Sequence, residues 1–166
     1  MTAKGQKPGG KHPPKHVLFV CTGNVCRSPM AEYLMASGLN PESGWTVRSA
    51  GLSAMHGVGA TDSAVEVMRE KGVEMTRHRS QPVTRELVDA ASVIVVMTAS
   101  HREQLRMLFP RAREKTFLLK SFDPRGEGGD VDDPIGSSVA NYRRVRDEIE
   151  EAIPELKKFM ENLDVH

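Results

Sequence analysis

The chain has little cysteine: two residues in 166, Cys21 and Cys26, five positions apart. A secreted domain held by disulfides links distant segments, so that architecture is excluded and a cytosolic (cytoplasmic) protein is expected. Aromatic residues are also scarce, at 5%. Charge is almost balanced, with 23 lysines and arginines against 22 acidic residues. A nucleic-acid surface needs concentrated positive charge, commonly interleaved with rings, and neither is present. No apolar run approaches the roughly 20 residues of a membrane span. The N-terminal stretch carries lysines without an apolar segment behind them, so it is not a secretory signal. Residues 1–15 read as a disordered leader, because Pro, Gly and Lys bury too little surface to offset ordering entropy. Residues 16–166 are expected to form one monomeric domain with no internal repeat.

What is present is an alternation of strand and helix patterns. Residues 16–20 are apolar and β-branched, a buried strand. Residues 28–38 read as a helix ended by Gly38, and residues 45–49 as a strand stopped by Ser49-Ala50-Gly51. A helix is predicted over 61–71, with Thr61 or Ser63 as cap and Gly72 beyond it. Thr84 caps a short helix, with Val83 and Val88 as a hydrophobic staple. SVIVVM, residues 92–97, suits a parallel strand covered on both faces. Ser100 and Glu103 read as a capping box for a helix that Pro110 stops, and 115–119 as the last strand. A long acidic loop over 120–136 follows; loops of this length are usually functional. The last helix is expected from about Ser137, with a kink or restart at Pro154. Alternating strands and helices imply an α/β fold: an open parallel sheet with helices on both faces.

The stretch with most chemical content is CTGNVCRSP, Cys21 to Pro29, between the first strand and the first helix. Helix N-termini carry unpaired N–H groups and partial positive charge, so such a turn binds anions. Its successive amides, from Thr22 through Gly23, Asn24, Val25 and Cys26 to Arg27, can cradle a phosphate. The same field favours a thiolate at Cys21, the expected nucleophile. Arg27 can grip two phosphate oxygens in a bidentate fork. Ser28 can cap the helix or donate to the thiolate and help it leave. Asn24 is suited to a positive φ in the loop. A general acid must then serve the leaving group, and Asp123, Asp130, Asp132 and Asp133 are all candidates in the long loop. Cys26 is close enough in sequence to trap an oxidised Cys21 as a disulfide.

The string CTGNVCRSPMAE, with the late Asp133-Pro134 and Gly136, resembles the low-molecular-weight protein-tyrosine phosphatase family. Ser49-Ala50-Gly51, His78-Arg79 and Val95-Val96-Met97-Thr98 fall in the same order, so the likeness covers roughly residues 15–160. The resemblance implies a four-stranded parallel sheet in the order 2-1-3-4. It implies Cys21 as nucleophile, Asp133 as the acid, and Ser49 and His78 as partners that support Asn24. It also implies a phosphorylated protein or peptide substrate, no cofactor and no metal. The arginine-phosphatase members of this family tend to carry threonine where this chain has Val25, and tyrosine-directed members an apolar branched residue. Val25 therefore favours phosphotyrosine. Ile135 stands where the family usually has an aromatic that sandwiches the phosphotyrosine ring, which weakens that preference. The alternative is a protein-arginine phosphatase with the same apparatus, which SAGL and DDPIGSSVANYRRVRDEIEE resemble. A thioredoxin-coupled arsenate reductase would need further cysteines, and none follows Cys26. A nucleotide-binding phosphate loop would want a lysine and a different glycine spacing.

Overall fold

The structure is a computed structural model that describes residues 15–126 and 128–163. The leader expected over 1–15 lies outside them, save for Lys15, which opens the first strand. Four strands, β1 (Lys15–Cys21), β2 (Trp45–Gly51), β3 (Val93–Val96) and β4 (Thr116–Leu118), form one parallel sheet in the order β2-β1-β3-β4. Among the described residues, five α-helices connect and follow them: α1 (Arg27–Ser37), α2 (Asp62–Arg69), α3 (Arg85–Ala90), α4 (Ala99–Leu108) and α5 (Val139–Leu163). This is the 2-1-3-4 order that the resemblance implied.

The period-two alternation of β1 divides the core. Val17, Phe19 and Cys21 face α1, α2 and α5, where they meet Met30, Met68, Ile149 and Leu156. Leu18 and Val20 face α3 and α4 and pack with Val88, Ile94 and Leu105. Both faces of the sheet are covered, which is why β1 and β3 lack polar alternation. Phe117, Phe122 and Phe159 add an aromatic cluster with centroids 5.1–6.2 Å apart.

Several boundaries differ from the sequence reading, each for a physical reason. Cys21 is the last strand residue rather than the first turn residue, and β2 runs on to Gly51, because the two pair in the ladder. Residue α4 begins from is capped by Thr98, whose hydroxyl accepts from the His101 N–H at 3.0 Å. The predicted Ser100/Glu103 box is not used: Ser100 instead accepts from the Gln104 side chain. Thr61 and Thr84 cap α2 and α3 as expected. The restart foreseen at Pro154 does not occur, and α5 is one helix of 25 residues. Ala152, Leu156 and Met160, all buried, hold it on the core to either side of the proline, so packing outweighs the lost hydrogen bond.

Candidate active site

β1 lies next to both β2 and β3, with connections leaving in opposite directions. Its carboxyl end is therefore a switch point where a crevice opens. Cys21 ends β1, residues 22–26 turn, and Arg27 begins α1. A cleft of about 120 Å³ at this edge is lined by residues 21–27, Asp133 and Ile135.

Asn24 organises the turn. It is buried and has φ of 58°, a left-handed conformation that costs a non-glycine residue about 1 kcal/mol. Its hydrogen bonds offset that cost. The side-chain amide donates to Ser28 Oγ and Ser49 Oγ, each at 2.9 Å, and its oxygen accepts from the Gln81 N–H at 3.0 Å. Its carbonyl accepts from His78 Nε2 at 2.8 Å, which fixes the proton on that nitrogen. The Asn24 N–H points at Cys21 Sγ, 3.3 Å away. Ser28 Oγ accepts from Asn24 and lies 2.9 Å from Cys21 Sγ, so its own proton is free to donate to the sulfur. Ser49 passes the chain on to Glu32 at 2.5 Å. Burial raises the Glu32 carboxyl above its ordinary value and lowers the His78 imidazole.

Arg27 is buried, and its Nη1 donates to the Val131 carbonyl at 2.9 Å. Its Nη2 faces the Asp133 carboxylate at 3.6 Å, across the cleft. Of the four aspartates open from sequence, Asp133 is the one that lines the cleft. Asp123 is buried and bonded to Arg125, whose backbone N–H and guanidinium lower its carboxyl. Asp132 points to Arg144 at 3.6 Å, and Asp130 accepts from the Ala99 N–H at 2.9 Å. Val25 is half-buried and Ile135 is 57% exposed at the mouth.

Cys26 is a free thiol turned toward Tyr142, 3.3 Å from its hydroxyl, and toward Thr61. Burial raises both the Cys26 thiol and the Tyr142 phenol, the latter to about 12. Among the described residues, no group of three or more His, Cys, Asp or Glu side chains is placed to hold a metal.

A sequence model described as low molecular weight phosphotyrosine protein phosphatase matches residues 16–165. This chain belongs to that family. It is a cysteine-based phosphatase, a hydrolase. It is 42% identical over 148 residues to a protein-arginine-phosphatase of Geobacillus stearothermophilus, covering 89% of this chain and 97% of that protein. It is 39% identical over 154 residues to low molecular weight protein-tyrosine phosphatase A of Mycobacterium tuberculosis, covering 89% and 93%. The solved arginine phosphatase YwlE of G. stearothermophilus superposes with a TM-score of 0.83 at 42% identity, over 92% of this chain and 98% of that one. A low molecular weight protein tyrosine phosphatase from T. tengcongensis superposes at 0.80 with 36% identity, over 87% and 98%.

Six further residues of this phosphatase reach the site without having been assigned a role in it from sequence: Glu32, Thr61 (foreseen only as a helix cap), Gln81, His101, Val131 and Tyr142. Glu32 lies inside the CRSPMAE string, so its proximity was the available signal. Val131 acts through its carbonyl, which no side-chain pattern can announce. His101 is 4% exposed, with Nε2 2.8 Å from Thr22 Oγ1. Burial, and then the Arg27 charge, lower its imidazole to about 4.

Proposed function

We propose that this phosphatase hydrolyses phosphotyrosine in proteins or peptides through a cysteinyl-phosphate on Cys21. The observation that carries the reading is the cleft that brings Cys21, the residue 22–27 turn and Asp133 together. The Cys21 thiolate attacks phosphorus, forming the S–P bond as the bond from phosphorus to the tyrosine oxygen breaks. Asp133 gives its proton to the departing phenolate. Asp133 then takes a proton from water, whose oxygen attacks phosphorus. The S–P bond breaks, phosphate leaves, and the Ser28 hydroxyl receives the thiolate at 2.9 Å. Arg27 and the loop amides balance the charge on the equatorial oxygens, so no step calls for a metal. Two free thiols in one small site suit a reducing, cytoplasmic setting.

A second reading, phosphoarginine as substrate, is favoured by the relatives that carry that name at 42% and 44% identity. A solved YwlE variant with a phosphorylated active-site serine, 42% identical, fits a phosphoryl acceptor at the Cys21 position in either case. Val25 supports the phosphotyrosine reading: it lines the cleft, where its methyl groups can pack on a ring, and it offers no hydroxyl to orient a guanidinium. The test compares kcat/KM on phosphotyrosine and phosphoarginine peptides, with Cys21→Ser as control. Higher kcat/KM on phosphotyrosine supports the reading, and a strong preference for phosphoarginine replaces it with the second.

A further inference from the structure

The acid-bearing loop, residues 130–135, has no regular secondary structure, yet Asp133 must meet a phosphoryl group that the residue 22–27 turn holds. What sets one loop against the other is the first turn of α4. It touches the acid loop through the Ala99 N–H, which donates to Asp130 Oδ1 at 2.9 Å. One residue on, the Val131 N–H donates to the Met97 carbonyl at 2.8 Å, just before that turn. The same turn touches the anion loop through His101 Nε2 and Thr22 Oγ1. The circuit closes through Arg27, which donates to the Val131 carbonyl. Four hydrogen bonds thus run from Thr22 through α4 and the acid loop back to Arg27.

We infer that the start of α4 is a bracket that registers the acid loop on the anion loop, with His101 and Asp130 as positioning residues on its two sides. The inference rests on the reading of Asp133 as the general acid. His101 is buried but its Nδ1 has no hydrogen-bond partner, so its fixed polar contact is the one to Thr22. A side chain kept in the core at the cost of an unpaired nitrogen is better explained by that contact than by packing. Asp130 is exposed, three residues before the acid, and its bond to Ala99 adds a side-chain tie to the two that hold Val131. The two sides make different demands on the reaction. Loss of the Asp130 tie displaces the proton donor and leaves the phosphate cradle intact. Loss of the His101 tie loosens the cradle at Thr22 for every substrate alike.

The test measures kcat/KM on p-nitrophenyl phosphate and phenyl phosphate, inhibition by inorganic phosphate, and thermal melting. Asp130→Ala should lose about tenfold more rate on phenyl phosphate than on the nitrophenyl ester, because small misplacements of a catalytic group are costly. Its phosphate inhibition constant should stay within about twofold of wild type. Asp130→Asn keeps an oxygen that accepts from Ala99 and should restore the ratio between substrates. His101→Phe fills the same space without the nitrogen. It should weaken phosphate binding about fivefold to tenfold and slow both esters equally, with His101→Gln, which can donate to Thr22, recovering most of it. Equal losses by Asp130→Ala on the two esters, or a wild-type phosphate constant in His101→Phe, would overturn the bracket. Asp133→Asn is run beside them. If it shows no leaving-group dependence, the acid assignment fails instead, and the phosphate affinity of His101→Phe alone decides the bracket.

Discussion

Replacing Gly51 by alanine should cripple the site while leaving the fold standing. Gly51 ends β2 directly beneath the anion loop and pairs with Cys21. A Cβ built there would lie 2.5 Å from the Thr22 carbonyl oxygen, 2.8 Å from Ala54 Cβ and 3.0 Å from the Asn24 nitrogen. Two of these three atoms are backbone, held by the Ser53-to-Thr22 hydrogen bond and by the five partners of Asn24. No side chain can swing away, so the loop must lift by about 0.5–1 Å to restore ordinary contact. Overpacking of this kind costs about 1–3 kcal/mol, which in a domain of this size lowers Tm by roughly 2–10 °C. The effect on catalysis should be larger. A displacement near 1 Å costs about 100-fold when reacting atoms are pre-aligned. The assay is kcat/KM on p-nitrophenyl phosphate well below the melting transition, with inorganic phosphate as a competitive probe of the loop. A folded Gly51→Ala protein with wild-type kcat/KM and phosphate affinity would refute the claim that the loop geometry depends on this close approach.

Cys21→Ser should remove turnover without unfolding the chain, and substantial residual hydrolysis would sink the covalent route. Asp133→Asn should slow phenyl phosphate far more than p-nitrophenyl phosphate, since a phenol of low pKa departs with little help. Thermal stability should fall with acidification between about pH 6.5 and pH 4 because of His101. Its folded value is depressed to about 4 by burial and by Arg27, with Asp130 and Asp133 opposing. The unfolded chain therefore takes up a proton first as pH falls, a loss on the order of 1–3 kcal/mol. Scanning melts should show a shallower acid slope in His101→Gln; an identical slope would remove His101 from the account. Val25→Thr should shift the kcat/KM ratio toward phosphoarginine and Ile135→Tyr toward phosphotyrosine, each by about 10-fold or less. An unmoved ratio in both would show that the mouth of the cleft does not set substrate class.

The order of elements was readable because burial writes a pattern. β1 and β3 are apolar on both faces, and α5 repeats its apolar residues every three or four positions. Only a sheet covered by helices on both sides satisfies such runs. The ends of elements were less readable, since the groups that set them compete locally. Thr98 and Ser100 are both capping residues, two apart. Thr98 wins because its backbone is extended, two residues beyond β3, whereas Ser100 is already helical. Pro154 reads as a break by propensity. The buried residues around it belong to the core, and tertiary packing decides.

The site divides along a similar line. The nearness of Cys21, Arg27 and Ser28 was legible because it depends on a local turn, and the spacing of that turn is in the chain itself. Asp133 was only one of four candidates to residue chemistry. Three nearby aspartates share its charge and its loop, and what separates it is a distance across the cleft to Arg27. His101 lay beyond reach altogether. In sequence it sits on an exposed-looking turn, ASHREQ, seventy-nine residues from Thr22. Nothing in that segment states that the turn faces the end of β1. The sheet order states it: β1 and β3 are neighbours, so whatever follows β3 must pass the anion loop. A strand order derived first would therefore have marked Thr98 to His101 for inspection. The general consequence for this fold is that residues just after β3 are placed beside the nucleophile by topology, whatever their local composition.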